Sequence, residues 1–239
     1  MTPPAARHAT ALLLGAGTMI AGALAIAAAP WALGQPWLAF VFKPLATALV
    51  IAYAAGRGRA TPALRRWLLV GLAASWVGDV ALLWPQQGFL PGLIAFLVAH
   101  GCYLWAFTRE RRLAAWPPAF AAYAVLAGAI LAALWPGVPW PLRAPVVVYV
   151  VALAAMAAMA AVLWRTGVAR GGWFALGGAL FVASDALLAT ERFGGGLPLA
   201  SLWILPTYWG AQWCLATGLA PAGDPPASPA PSSSAAGGR

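Results

Sequence analysis

Stretches of mostly apolar residues, each close to the ~20 that a helix needs to cross about 30 Å of hydrocarbon, follow one another along the whole chain. They occupy 9–29, 37–55, 67–84, 89–107, 114–134, 143–163, 173–190 and 199–218. A soluble core has no room for that much apolar helix. The chain is 63% hydrophobic and 8% charged, where an ordinary soluble domain carries roughly 25% charged residues. Its mean hydropathy is +0.82. The expected fold class is therefore all-α, a polytopic membrane protein of eight transmembrane helices. Prolines fall mostly at span starts and in connections (Pro36, Pro85, Pro139, Pro141, Pro198), where a missing N–H costs least. Pro44 and Pro206 are internal and are expected to kink their helices. Trp31, Trp37, Trp67, Trp84, Trp135, Trp164 and Trp173 lie near span ends, as an interfacial belt requires.

A net charge of +9 can mark a nucleic-acid binder, but here the arginines sit in short connections between apolar runs. Arg7, the group Arg57, Arg59, Arg65 and Arg66, the group Arg109, Arg111 and Arg112, and the pair Arg165 and Arg170 all fall on one side of an up-and-down path. The opposite connections hold Arg143 and Arg192. The positive-inside rule then places both termini in the cytoplasm, the protein in the cell (inner) membrane as a multi-pass protein, and nucleic acid outside its partners. The first run resembles a secretory signal, but its apolar part exceeds the usual 7–15 residues, so a retained span is expected. Residues 1–220 read as one eight-span membrane domain. The remainder, 221–239, "PAGDPPASPAPSSSAAGGR", reads as a disordered cytoplasmic tail. Cys102 and Cys214 lie within apolar runs and read as small core hydrophobes.

An ionisable residue near the bilayer centre costs on the order of 3 kcal/mol, which makes each one a functional candidate. Here they are Lys43, Asp79, His100 and Asp185, with Ser75, Ser184, Thr207, Tyr208 and Gln212 as neutral helpers. Both aspartates come about five residues before the outer end of an outward-running span, roughly 7–8 Å below the interface. Lys43 comes out at roughly 9 Å, Tyr208 near 13 Å and His100 near 16 Å by the same rise. Five polar groups from five helices thus converge in one half of the bilayer. Ser75 shares a helix face with Asp79, Tyr208 with Gln212, and His100 with Tyr103.

A faint internal repeat accompanies this convergence. "SWVGDVALL" echoes "LFVASDALL", with Asp79 and Asp185 106 residues apart, and the same offset maps Lys43 onto Tyr149. His100 maps onto Tyr208 with two further residues. That pattern suggests a parallel 4+4 duplication.

Plain structural readings stand beside the functional ones. Lys43 serves equally as a neutralising ion-pair partner, and His100 as a packed, hydrogen-bonded side chain. Tyr208 and Gln212 can simply bond helices together, and Glu191 with Arg192 reads as a solvated edge. The aspartate pair resists such an account. Two carboxylates at matching depth, with at most one lysine to share, imply that one stays protonated while the other is ionised. That arrangement suits acid–base hydrolysis.

At these residues the sequence resembles the lysoplasmalogenase (YhhN-like) family of membrane proteins. The segments that carry the resemblance are "FKPLATAL" (42–49), "GDVALL" (78–83), "GLIAFLVAHGCYLWAF" (92–107), "GALFVASDALLATERF" (178–193) and "PTYWGAQW" (206–213). The first, fifth and sixth spans carry no signature. The resemblance implies hydrolysis of the vinyl ether bond of lysoplasmalogens to a fatty aldehyde and a glycerophospho-base. It places the catalytic pair at Asp79 and Asp185, with Lys43, His100, Tyr208 and Gln212 at other motif positions. A lysophospholipid is then the expected partner within the bilayer. Vinyl ether hydrolysis needs one neutral acid and one carboxylate, as in two-carboxylate glycosidases, so no metal or other cofactor is expected. The alternative is a proton-coupled carrier of a small lipid or amphiphile, with the same groups as a proton relay.

Overall fold

Proline sets the start of several helices. Pro36, Pro62 and Pro117 each occupy a first helical turn, where the fixed φ suits the helix and the lost N–H has no intrahelical partner anyway. The computed structural model describes residues 4–221, and among them are eight α-helices. They are α1 (Pro4–Ala27), α2 (Pro36–Ala55), α3 (Pro62–Ala81), α4 (Phe89–Thr108), α5 (Pro117–Leu134), α6 (Arg143–Arg165), α7 (Gly171–Phe193) and α8 (Ala200–Gly218). Two 3₁₀ turns, Trp135–Gly137 and Trp140–Leu142, join α5 to α6. Six of the helices are long and apolar enough to cross a membrane, and α3 and α8 are less apolar. The chain is a multi-pass helical membrane protein. Of the expected tail, all but Pro221 lies outside the described residues.

Helix boundaries moved where capping outweighed hydropathy. The third helix begins at Pro62, five residues before the apolar run, because Pro62 opens it. It ends at Ala81, since Leu83 and Trp84 already bond into the turn that leads to α4. Pro44 and Pro206 sit inside α2 and α8, each of which continues as a single α-helix through its proline.

Six helices close into a ring in the order α2, α3, α4, α6, α7, α8 and back to α2. The other two pack outside it, α1 on α2 and α8, and α5 mainly on α6. The outer face is apolar, with Leu12, Met19, Val125, Val148 and Val151 exposed. In α5 only Ala119 is buried. Polarity is inverted relative to a soluble protein: Thr47, Ser75, Asp79, His100 and Gln212 are all buried within the ring. Close approach at the ring joints depends on glycine. A Cβ on Gly78 would stand 2.6 Å from the Phe96 ring, and one on Gly178 would stand 3.1 Å from the Ala157 backbone. Small residues that let helices touch are the usual device where lipid removes the hydrophobic drive for association.

The two ends of the ring differ. At the arginine-rich end, the last carbonyls of α8 lack intrahelical partners, and arginines supply them. Arg57 donates to Leu219 O (2.9 Å) and Thr217 O (3.3 Å), and Arg170 donates to Thr217 O (2.8 Å). At the other end lie the connections between α1 and α2, α3 and α4, α5 and α6, and α7 and α8. There Arg192 stacks on the Phe89 ring (4.8 Å) and Arg143 on Trp135 (5.0 Å).

Candidate active site

Every polar group that the sequence places inside the bilayer is on a ring helix, and inward-facing helical spacing brings most of them into two clusters. Thr207 and Ser184 stay outside both, Thr207 donating to Trp203 O (2.7 Å) of its own helix and Ser184 to Ile204 O (3.2 Å). The first surrounds Asp79 of α3, which is 1% exposed. Its Oδ2 accepts hydrogen bonds from Thr47 Oγ1 of α2 (2.6 Å) and Tyr208 Oη of α8 (2.7 Å). Lys43 Nζ, one turn before Thr47 on the same face, stands 3.7 Å from Oδ1. Three donors therefore converge on one carboxylate, which in its ionised form only accepts and never donates. Behind them runs a second layer. Gln212 donates to Tyr208 Oη (3.2 Å), and Tyr103 donates to Gln212 Oε1 (2.9 Å). Ser75 Oγ lies 3.3 Å from Tyr103 Oη, and Trp209 donates to Thr47 Oγ1 (3.1 Å). Ser75 thus shares the face of Asp79 but bonds to Tyr103 and reaches the aspartate only through the chain of side chains.

The second cluster surrounds Asp185 of α7. Tyr149 Oη of α6 donates to Oδ2 (2.5 Å). His100 Nε2 of α4 is 3.0 Å from the same hydroxyl and 3.5 Å from Asp185 Oδ2. His100 Nδ1 is buried without a hydrogen-bond partner among the described residues. An unprotonated Nδ1 is the cheaper way to leave that atom unpaired, which makes Nε2–H the donor to Tyr149 Oη. No hydrogen bond to Asp185 Oδ1 is present among the described residues. Between the two clusters stand the rings of Phe181 and Phe96. Phe181 is 4.7 Å from the His100 ring and 5.7 Å from the Tyr208 ring, and Phe96 is 5.7 Å from Tyr208.

Both aspartates line one cavity, of about 660 Å³, that opens at the arginine-poor end. Lys43, Tyr208, Ser184 and Ser201 also line it, and Glu191 and Arg192 stand toward its mouth. Its size falls within the ~300–1,000 Å³ usual for small-molecule sites. Toward the arginine-rich end the ring is filled by Tyr103, Phe107 and Phe174, each at most 1% exposed. Glu191 is more than a solvated edge, since it accepts from the Leu197 backbone N–H and holds the α7–α8 connection. Cys102 and Cys214 are buried and free, as small core hydrophobes would be. Among the described residues no group of three or more His, Cys, Asp or Glu side chains could hold a metal ion.

The structure adds residues that the sequence reading did not name as part of the site. Thr47 was legible as the residue four after Lys43, on its face. Tyr149 was legible as the position matched to Lys43 by the repeat offset. Tyr103 was placed on the face of His100, yet its hydroxyl serves the Asp79 cluster. Trp209 carried no signal beyond adjacency to Tyr208.

The YhhN family profile matches residues 38–219, which span all six ring helices. Lysoplasmalogenase TMEM86B of Homo sapiens is 38% identical over 142 residues, covering 59% of this chain and 58% of that protein. Lysoplasmalogenase TMEM86B of Mus musculus is 33% identical over 190 residues, covering 76% and 75%. A lysoplasmalogenase of Mycobacterium tuberculosis is 34% identical over 167 residues, covering 66% and 60%. The chain thus spans under two thirds of the length of the human and mycobacterial proteins it matches. No solved structure matches it. With the family profile running from the start of the ring to its end, this chain belongs to the YhhN family.

Proposed function

We propose that this protein hydrolyses the vinyl ether bond of lysoplasmalogens, releasing a fatty aldehyde and a glycerophospho-base, with Asp79 and Asp185 as the acid–base pair. One observation carries the reading: two carboxylates in unlike surroundings line a single cavity within a membrane-embedded ring. The relatives named lysoplasmalogenase support the same reaction class.

The chemistry asks for little beyond these groups. A neutral carboxylic acid gives its proton to the vinyl carbon β to oxygen, and the π pair becomes the new C–H bond. The ether oxygen shares its lone pair with the α carbon, leaving an oxocarbenium ion. A carboxylate stabilises that cation and takes a proton from water as the water oxygen bonds to the α carbon. The hemiacetal then collapses. Its hydroxyl returns a proton to the first carboxylate, the second carboxyl protonates the glyceryl oxygen, and the C–O bond to glycerol breaks. Both side chains end as they began, as in the acid–base exchange of glycosidases. In this scheme Lys43 holds Asp79 ionised, while the buried Phe96 and Phe181 rings keep bulk water from the cation.

The same reading includes eight spans with cytoplasmic termini, in the cell membrane, and a cavity facing the outer leaflet. It also includes a parallel repeat. Each aspartate accepts a hydrogen bond from a residue of its own half, Thr47 or Tyr149, and is faced by one from the fourth helix of the other half, Tyr208 bonded at 2.7 Å or His100 at 3.5 Å. The rival reading, a proton-coupled carrier, needs a path through the membrane. The packed Tyr103, Phe107 and Phe174 below the cavity weigh against it.

The test is to incubate the purified protein with 1-alkenyl, 1-alkyl and 1-acyl lysophospholipids of one headgroup while following aldehyde and fatty acid. Aldehyde from the alkenyl lipid alone supports the reading. Fatty acid from the acyl lipid, or no product at all, counts against it.

A further inference from the structure

A second, narrower space meets the main cavity at Asp185. It is a groove between α4, α5, α6 and α7, walled by Leu93, Ala127, Ile130, Leu153, Val182 and Ala186 among others. Among its lining residues only Tyr149 and Asp185 carry polar side chains. Leu82, Phe89, Phe96, Leu188 and Asp185 line both spaces, whereas Lys43, Asp79 and Arg192 line the main cavity alone. Asp185 therefore stands at the junction of a polar chamber and an apolar slot. The slot exists because α5 packs chiefly on α6 and faces α4 across the gap instead of packing against it.

We propose that this groove seats the hydrocarbon chain of the lipid, and that this seating makes Asp185 the proton donor and Asp79 the water-activating base. The assignment rests on the hydrolase reading and follows from the order of atoms in the substrate. From head to tail a lysoplasmalogen runs phosphate, glycerol, ether oxygen, α carbon, β carbon, alkyl chain. A phosphate in the groove would be stripped of water with no cation to meet it, at a cost of several kcal/mol, so the head belongs in the main cavity, where Arg192 stands toward the mouth. The chain then enters the groove past Asp185. The β carbon, which takes the proton, lies on the groove side against Asp185. The α carbon, which takes water, lies one bond back toward Asp79.

Local bonding agrees with those roles. Tyr149 donates to Asp185 Oδ2, which leaves Oδ1 to carry a transferable proton and lets the hydroxyl steady the carboxylate that forms. Asp79 is met by three donors and no acceptor, the setting of a carboxylate kept ready to accept.

Two measurements on the full-length protein test the proposal. The first compares hydrolysis of short-chain and long-chain 1-alkenyl lysolipids by wild type, by Ala127→Trp, which fills the groove, and by Ala124→Trp, which adds the same bulk to the exposed side of α5. A hydrophobic pocket discriminates by about tenfold or more per methylene-sized misfit. Ala127→Trp should thus lower kcat/KM for the long chain by at least about tenfold relative to the short chain, and Ala124→Trp should leave the ratio unchanged. An unchanged ratio in a folded Ala127→Trp protein overturns the groove assignment. The second adds azide to folded Asp79→Ala and Asp185→Ala proteins and follows loss of the 1-alkenyl lipid. Azide is a nucleophile that needs no base, so with the donor intact it should bond to the α carbon of the oxocarbenium ion and restore lipid turnover in Asp79→Ala, and leave Asp185→Ala inactive. No restoration with Asp79→Ala, or restoration with Asp185→Ala, overturns the roles. Failure of wild type to release aldehyde from either chain length would instead reject the hydrolase reading beneath them.

Discussion

Replacing Tyr208 with phenylalanine isolates what one hydroxyl does for the site. The ring would keep its edge contacts with Phe96 and Phe181, both at 5.7 Å between centroids, so no cavity is created and no packing is lost. What disappears is a bond of 2.7 Å to Asp79 Oδ2 and the acceptor for Gln212 Nε2 at 3.2 Å. A hydrogen bond to a charged group contributes about 1.5–3 kcal/mol, and a buried amide left without a partner costs about 1–3 kcal/mol. The variant should therefore unfold at a clearly lower temperature in detergent. Its carboxylate, held on that oxygen by Thr47 alone, should also lose its orientation. Misplacing a catalytic group by about 1 Å costs on the order of 100-fold in rate, so kcat for aldehyde release should fall by roughly that factor while KM changes little. Thr47→Val removes the other donor to the same oxygen. The double variant should lose more than the two single effects combined, because each donor compensates in part for loss of the other. A Tyr208→Phe protein with wild-type melting temperature and wild-type kcat would refute this account of how Asp79 is held.

Other parts of the structure make separate predictions. Tyr149→Phe keeps its ring but removes the donor to Asp185, and should lower kcat by about tenfold or more, read by aldehyde release. Gly78→Ala drives a methyl group to 2.6 Å from the Phe96 ring beside Asp79; overpacking of this kind costs about 1–3 kcal/mol and should appear as a lower melting temperature. Arg57→Ala removes two bonds to the end of α8 and should cost about 1–3 kcal/mol, read by thermal unfolding in detergent. Single cysteines at Leu33 and at Arg111 should label from opposite sides of intact cells or vesicles, with Leu33 outside; labelling of both from one side would reject the proposed topology.

Much of the fold was legible because a membrane helix must supply its own apolar length. Each run of about twenty apolar residues became a helix. Six of them kept a strongly apolar composition, while α3 and α8 gave up apolar residues to the site. Which helices would form the ring was not legible, since neighbour choice depends on small-residue contacts such as Gly178 against Ala157, and these leave no periodic trace. Convergence of Lys43, Asp79, His100, Asp185 and Tyr208 followed from depth alone. Their partition into two clusters did not, because it depends on rotation about each helix axis and on Phe181 standing between them. Depth arithmetic treated Lys43 as available to either aspartate, and the structure puts it beside Asp79. Tyr149 shows what a repeat can add. Its position opposite Lys43 in the 106-residue offset marked it, yet only the geometry tied its hydroxyl to Asp185.

The most direct test of the two-carboxylate claim uses Asp79→Asn and Asp185→Asn, each nearly isosteric with the native residue and each unable to shuttle a proton. Purified in folded form, with melting temperature and elution volume recorded, both should release no measurable aldehyde from a 1-alkenyl lysophospholipid that wild type hydrolyses. Wild-type rates from either folded variant would contradict the account.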